Sequence, residues 1–341
     1  LEKIKSNKIK NHKFAIMKIG ITGVAGFIGS NLAKQLLEDG HEVVGIDNFS
    51  FGNKQNISQI ENNPSFKFFE RDARDASSFT DLNADTWVHL ASQKIPRYST
   101  SYHTLEDNYT MTGNLIAKCL KDDVKLVFAS TSDVYGKNTE LPFHEESNLV
   151  MGPTNVKRWA YAVSKMYSEH KIIAYADEFG LKYSIMRFFG SYGPNQNTTW
   201  WGGPQAVFIQ NILEGKTLEI HGDGMQTRTF TFVKDTVQGI MQCVFHPNSL
   251  NQVFNIANEP TEEITIKELA LLIWELIKGN RNNPDIKLIP YETFGKYEDV
   301  MRRVPDITKI KNQLGFSPSW KMREGLTETI AWQTQLFESK K

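Results

Sequence analysis

Three glycines spaced three apart, Gly23, Gly26 and Gly29, lie between a short apolar run, Lys18–Thr22, and an amphipathic stretch, Phe27–Glu38, and no other feature restricts the fold of this chain as much. A strand that turns at once into a helix needs a residue without Cβ at the turn, a second where backbone approaches a ligand, and a third where helix lies against strand. Such a helix opens with unpaired amides and the positive end of its dipole aimed at the turn, a seat for a pyrophosphate. Phe27 and Ile28, inside the motif, are expected on the same wall. Glycine spacing alone is a weak signal, but strand, helix and a downstream acid agree here. That acid is Asp47, closing the next apolar run, Glu42–Asp47, where a carboxylate can bind the ribose hydroxyls of an adenosine and would repel a 2′-phosphate. No Arg stands between Asp47 and Arg71, so the expected cofactor is NAD rather than NADP.

Beyond the motif the alternation continues. Six runs, Lys18–Thr22, Glu42–Asp47, Phe66–Glu70, 87–90, 126–129 and 182–188, read as buried strands, and Phe27–Glu38, 75–82, 105–120 and Trp159–Phe179 as helices between them. This predicts an α/β fold, a doubly wound parallel sheet with helices on both faces. After Gly190 the pattern decays into loop chemistry at Gly193-Pro194, 195–197 and Gly202-Gly203-Pro204. The expected division is a nucleotide domain over 17–188, with a return segment over 227–257 that holds Val233–Phe245 and Gln252–Ile256. A smaller substrate domain is expected over 189–226 and 258–341, where Ile266–Lys278 reads as a further helix.

Composition bounds the partners. Hydrophobic residues make up 40% and charged residues 23% of 341, ordinary globular usage. Lys plus Arg equals Asp plus Glu at 39 each, so no bulk positive field gathers nucleic acid or an anionic membrane. No apolar run is long enough to span a bilayer. Residues 1–16 are rich in Lys and Asn and lack a signal peptide's apolar region, which reads as a solvated extension. Cys119 and Cys243 sit in apolar helical patterns as small buried hydrophobes. A cytoplasmic protein binding small molecules and no metal is expected.

Tyr161 and Lys165 are four apart in the helical run, so their side chains share one face a turn apart. A phenol with its pKa near 10 is a poor base at neutral pH, but a neighbouring ammonium and an oxidised nicotinamide both favour phenolate, which makes Tyr161 a usable general base. Alone, such a pair is a commonplace of helix surfaces; behind a glycine loop and a Ser/Thr-rich strand end it reads as catalytic. Thr131, just past the fifth strand, stands where ligands of doubly wound sheets bind, or else caps a turn. Asp72 can accept from an adenine amino group, or serve as a cap, as Asp75 can. Trp200 and Trp201, beside a Gly-rich loop, read as core or as a lid stacking on a base or sugar.

With these residues in view, the chain resembles the extended short-chain dehydrogenase/reductase family of nucleotide-sugar epimerases, dehydratases and decarboxylases, Rossmann enzymes with a C-terminal substrate domain. The likeness runs from Met17 to about Leu326. It is carried by 22–29, His89-Leu90-Ala91, 130–136, Tyr161-Ala162-Val163-Ser164-Lys165, and Gly222-Asp223-Gly224 with Gln226-Thr227-Arg228. The resemblance implies that Asn48, Ala73, Leu90, Ala91, Lys94 and Asn108 join the cofactor site. It makes Thr131 the residue that bonds the reacting hydroxyl. Ser132 and Trp201 join Thr131 in the substrate site, with Arg228 and Arg303 on the diphosphate of a nucleotide sugar, a UDP-sugar favoured. It also implies a homodimer packed through 105–120 and Trp159–Phe179, whose second apolar stripe includes Ile116, Tyr167 and Ile172, although burial within one subunit explains that stripe nearly as well.

All family chemistries begin by taking the C4 hydroxyl proton and passing hydride from C4 to NAD. A 4,6-dehydratase carries Asp-Glu after the catalytic Thr, where this chain has Ser132-Asp133, so dehydration is not expected. UDP-sugar 4-epimerases need no further acid and carry a lysine where Lys94 stands; this is the expected reaction. A UDP-glucuronate decarboxylase, with Thr-Ser-Glu at 131–133, is the alternative, and would make Asp133 catalytic with one methylene less reach. Other nucleotide-sugar oxidoreduction and a non-catalytic NAD sensor follow. Gly190 stands where many members have an Asn that contacts the ligand.

Overall fold

A computed structural model describes residues 15–94, 100–296 and 298–339. Seven strands form its central sheet: β1 (Lys18–Thr22), β2 (Glu42–Asp47), β3 (Phe66–Glu70), β4 (Thr86–His89), β5 (Lys125–Thr131), β6 (Tyr183–Phe188) and β11 (Gln252–Ile256). All pair in parallel, in the order β11-β6-β5-β4-β1-β2-β3. Alternation along each strand explains why both faces are covered. Val43, Val88, Val127 and Met186 enter one core, while Val44, Trp87, Phe128 and Ile185, their chain neighbours, enter the other. Helix α1 (Phe27–Glu38) packs beside α6 (Val233–Phe245), and α3 (Ser101–Asp122) beside α4 (Trp159–Phe179).

The strand order reverses between β1 and β4, which opens a crevice at their carboxyl ends. Residues of α2 (Lys54–Ile57), α5 (Pro204–Glu214) and α9 (Met322–Glu338) line it, while α7 (Ile266–Lys278) packs on α5 and α9, and α8 (Thr308–Leu314) on β11. Three small pairings complete the fold: β7 (Ser191–Tyr192) with β10 (Thr231–Phe232), β8 (Leu218–His221) with β13 (Ile286–Ile289), and β9 (Thr227–Thr229) antiparallel to β12 (Glu263–Thr265). Among the described residues, no helix is long and apolar enough to cross a membrane.

Three expectations change. The sheet has seven strands, because Gln252–Ile256 pairs with β6. The helix expected over 75–82 is a single 3-10 turn, Ala76–Phe79, capped by Asp75 as anticipated. Helix α3 starts before 105, at Ser101, because Thr100 accepts from the His103 amide and caps it. Residues 1–14 of the proposed extension lie outside the described residues.

Candidate active site

A cleft of about 960 Å³ runs along the carboxyl edge of the sheet. Among the described residues its wall holds every side chain expected at the site except Asn108 and Arg228.

Its first half suits a dinucleotide. Gly23 turns at φ +75°, and a Cβ there would stand 2.8 Å from the Ala91 amide. A Cβ on Gly29 would strike the Gly23 carbonyl. No side chain caps α1, whose first turn therefore presents its amides to the cleft with Gly26, Phe27 and Ile28 on the wall. Thr22 Oγ1 accepts from the amides of Leu90 and Ala91 at 3.2 Å each, tying β1 to the chain leaving β4. Asp47 is buried, with Oδ2 accepting from the Ala25 amide at 3.0 Å and Oδ1 from Phe49 at 2.8 Å. Burial raises its pKa while these amides hold it down.

Two residues expected at the cofactor, Asp72 and Asn108, also have partners within the protein. Asp72, on the wall with Asn48 and Ala73, accepts from Arg74 Nη2 at 2.6 Å and Asn48 Nδ2 at 2.9 Å, and the Arg74 guanidinium pulls it down to about 2. Asn108 is buried behind the wall. It accepts from the Gln93 amide at 2.8 Å and donates to the Gln93 carbonyl and Ser164 Oγ at 3.0 Å, so it clamps the segment leading to Lys94.

The second half is a chamber that gathers the residues expected to be catalytic. Tyr161 and Lys165 both reach it from α4, and Thr131 from the end of β5. Lys165 Nζ donates to the Ala129 carbonyl at 2.8 Å and lies 4.7 Å from the centre of the Phe128 ring; burial lowers its pKa to about 7. Tyr161 is pushed up by burial and then by the charge of Asp133, while hydrogen bonds to Ser92 and Thr131 act the other way. Beside the ammonium of Lys165 expected from the sequence, the structure adds the carboxylate of Asp133, whose charge disfavours the phenolate. Thr131 Oγ1 accepts from the Asp133 amide at 3.2 Å, so Thr131 also caps the turn that follows β5.

Arginines surround Asp133. Its Oδ1 lies 2.7 Å from Arg303 Nη2 and 3.3 Å from Arg158 Nη2. Burial works to raise its pKa, but Arg303, Arg158 and Arg228 outweigh it and keep it ionised. Arg303 is on the wall, 3.4 Å from the buried Ser132 hydroxyl. Arg228 is placed differently from its expected role as a diphosphate ligand: it donates to the Val300 carbonyl at 2.7 Å and to Asp299 at 2.8 Å. The two indoles separate. Trp201 faces the cleft, 4.4 Å from the Phe51 ring, and its carbonyl accepts from Lys94 Nζ at 3.2 Å. Trp200 stacks on His221 instead. Gly190 has φ +49°, and a Cβ there would stand 2.8 Å from the Phe230 ring, so a side chain at this position needs that ring to move.

Sequence reasoning misses Arg158, Ser92 and Phe51. Arg158 carries a readable signal, since three residues before Tyr161 is the same helix face. Ser92 and Phe51 carry none, because their roles depend on neighbours distant in the chain.

A dinucleotide crevice joined to a Tyr-Lys-Thr chamber defines an oxidoreductase-type nucleotide-sugar enzyme. Residues 21–329 match the family described as GDP-mannose 4,6 dehydratase, and the chain belongs to that family. It is 35% identical over 318 residues to a UDP-N-acetyl-alpha-D-glucosaminuronate decarboxylase of Bacillus cytotoxicus, covering 92% of this chain and 96% of that one. It is 32% identical to UDP-glucuronic acid decarboxylase 1 of Danio rerio, over 94% of this chain and 73% of the relative. In structure it is similar to a UDP-glucuronic acid 4-epimerase variant of Bacillus cereus bound to NAD and a fluorinated UDP-glucuronic acid, with TM-score 0.82 and 28% identity over 94% of this chain and all of that one.

Proposed function

We propose that this chain is an NAD-dependent enzyme that oxidises the C4 hydroxyl of a UDP-uronate, whose 4-keto form then loses CO₂. The observation carrying this reading is the likeness to two UDP-uronate decarboxylases, and the state of Asp133, the carboxylate whose charge acts on Tyr161, sets dehydration aside. Asp133 is held between Arg303 and Arg158, so it stays ionised and offers no proton for eliminating water. A 4-keto uronate is a β-keto acid and needs no such donor: the C5–C6 bond breaks, its electron pair moves toward the ketone, and C5 takes a proton. Lys94 and Arg303 on the wall suit an anionic substrate, and the two decarboxylase relatives support the same reading.

In this reading Tyr161 takes the C4 hydroxyl proton and Thr131 bonds the same oxygen. Lys165 keeps the Ala129 carbonyl and α4 in place beside them. The amides opening α1 hold the cofactor's pyrophosphate and Asp47 holds a ribose. Arg303 holds a diphosphate oxygen, and Trp201 covers the sugar. Bound NAD supplies a hydride acceptor and a positive charge that favours the phenolate. Residues 17–188 with 227–257 carry the cofactor, and 189–226 with 258–341 the nucleotide sugar.

A second reading, 4-epimerisation, is favoured by the likeness to the uronate 4-epimerase and by the same lack of a second acid. The test is incubation of purified protein with UDP-glucuronate, UDP-N-acetylglucosaminuronate, UDP-glucose and UDP-GlcNAc, followed by mass and NMR. Loss of CO₂ is the expected result. Unchanged mass with altered sugar couplings selects the epimerase, and loss of water would contradict both.

A further inference from the structure

The partners of Asp133 differ in their freedom. Arg303 stands on the cleft wall, and among the described residues it pairs with Asp133 and approaches Ser132 at 3.4 Å. Arg158 is anchored. Its Nη1 donates to the Glu298 carbonyl at 2.7 Å and to Asp299 Oδ1 at 2.9 Å, and Asp299 is itself closed by Arg228 and by the Tyr291 hydroxyl, each at 2.8 Å. A ligand oxyanion can draw Arg303 away from Asp133. It cannot draw Arg158 without breaking that chain of bonds.

Among the described residues, the charged and titratable groups facing the chamber are Lys94 after β4, Asp133 after β5, Tyr161 and Lys165 on α4, and Arg303 ahead of α8, with Glu169 one turn deeper and paired to Arg187, and His89 buried within reach of the Lys165 charge. We propose that Arg158 is a positioning residue: it is the permanent counter-ion of Asp133, screening that charge from Tyr161 and holding the carboxylate beside Thr131 when Arg303 turns to a ligand. The inference rests on Tyr161 acting as the base. A bare carboxylate beside a phenol disfavours the phenolate, so without Arg158 the ionisation that switches activity on moves to higher pH.

The experiment compares Arg158→Met, Arg158→Lys and the double variant Arg158→Met/Asp133→Asn with wild type. It reads kcat and KM for the nucleotide sugar across pH, together with NAD retention and melting. Arg158→Met is expected to move the acid limb of the rate profile up by about one unit, a loss of about tenfold in kcat on the acid side, with KM little changed. Adding Asp133→Asn is expected to bring the limb back, because the charge to be screened is gone. Arg158→Lys, milder if the Met variant folds poorly, is expected to move the limb less and in the same direction. An unmoved limb in a folded variant of an active enzyme overturns this inference alone, as does a double variant no closer to wild type than the single. A wild type that turns over none of the nucleotide sugars overturns the functional reading, and this inference with it.

Discussion

His89 closes β4 with its ring buried between the end of β1 and helix α3, Nδ1 2.6 Å from Thr22 Oγ1 and Nε2 3.4 Å from Thr112 Oγ1. Burial first, and the charge of Lys165 second, lower its pKa to about 3 from the ordinary 6.5. The folded protein therefore keeps this imidazole neutral where the unfolded chain takes a proton. Its contribution to stability is complete above pH 6.5 and is lost as pH falls from there toward 3. Melting followed by calorimetry from pH 7 down to about 4 should fall in wild type and fall less steeply in His89→Asn; parallel slopes would exclude His89 as a cause. Individual residues are legible in the sequence where the backbone alone sets their place, as for the glycines of the turn from β1 into α1 and Asp47 at the end of β2. They are not legible where a side chain chooses among partners. Asp72 turns to Arg74, Asn108 to Gln93 and Arg228 to Asp299, all partners that spacing cannot reveal.

At the level of elements, strands and long helices follow from apolar periodicity, because a parallel sheet buried on both faces demands it. The segment after β3 departs from its expected helix because polar local bonds compete with the helical ladder. Ser78 Oγ donates to the Asp72 carbonyl at 2.7 Å and Arg71 to the Ser78 carbonyl at 3.0 Å. The pairing of β11 with β6 is likewise not readable, since a strand's neighbour is chosen by topology rather than by its own residues. One buried ion pair joins β6 to α4: Arg187 Nη2 is 2.6 Å from Glu169 Oε2, both residues are buried, and Glu169 also accepts from Ser130 at the end of β5. Arg187→Met removes one partner and leaves a buried carboxylate short of its counter-charge, at a cost of about 3–5 kcal/mol. Denaturant titration measures it. A loss under about 1 kcal/mol would show that this pair does not hold the two elements together.

For the whole molecule, the helix pair α3 and α4 carries exposed aromatics: Tyr102 is 67% exposed, Tyr109 47% and Tyr167 49%, with Lys171 Nζ 4.1 Å from the centre of the Tyr109 ring. The apolar stripe expected to make a dimer is divided by the structure, since Ile116 and Ile172 are core residues and Tyr167 faces outward. We propose that a homodimer forms through the outward aromatic face. Light scattering at micromolar concentration should give a dimer for wild type and a monomer for Tyr109→Asp/Tyr167→Asp, and a monomeric wild type would remove the proposal. Every step proposed for this enzyme depends on Tyr161 as the base for oxidation at C4. Tyr161→Phe keeps the ring and removes the hydroxyl, and general-base catalysis is worth about 10²–10⁴-fold. The decisive measurement is turnover of the accepted UDP-sugar by a folded Tyr161→Phe variant that still retains NAD. A fall in kcat of at least about 10²-fold with substrate affinity little changed is the predicted result; near-normal turnover would contradict the account.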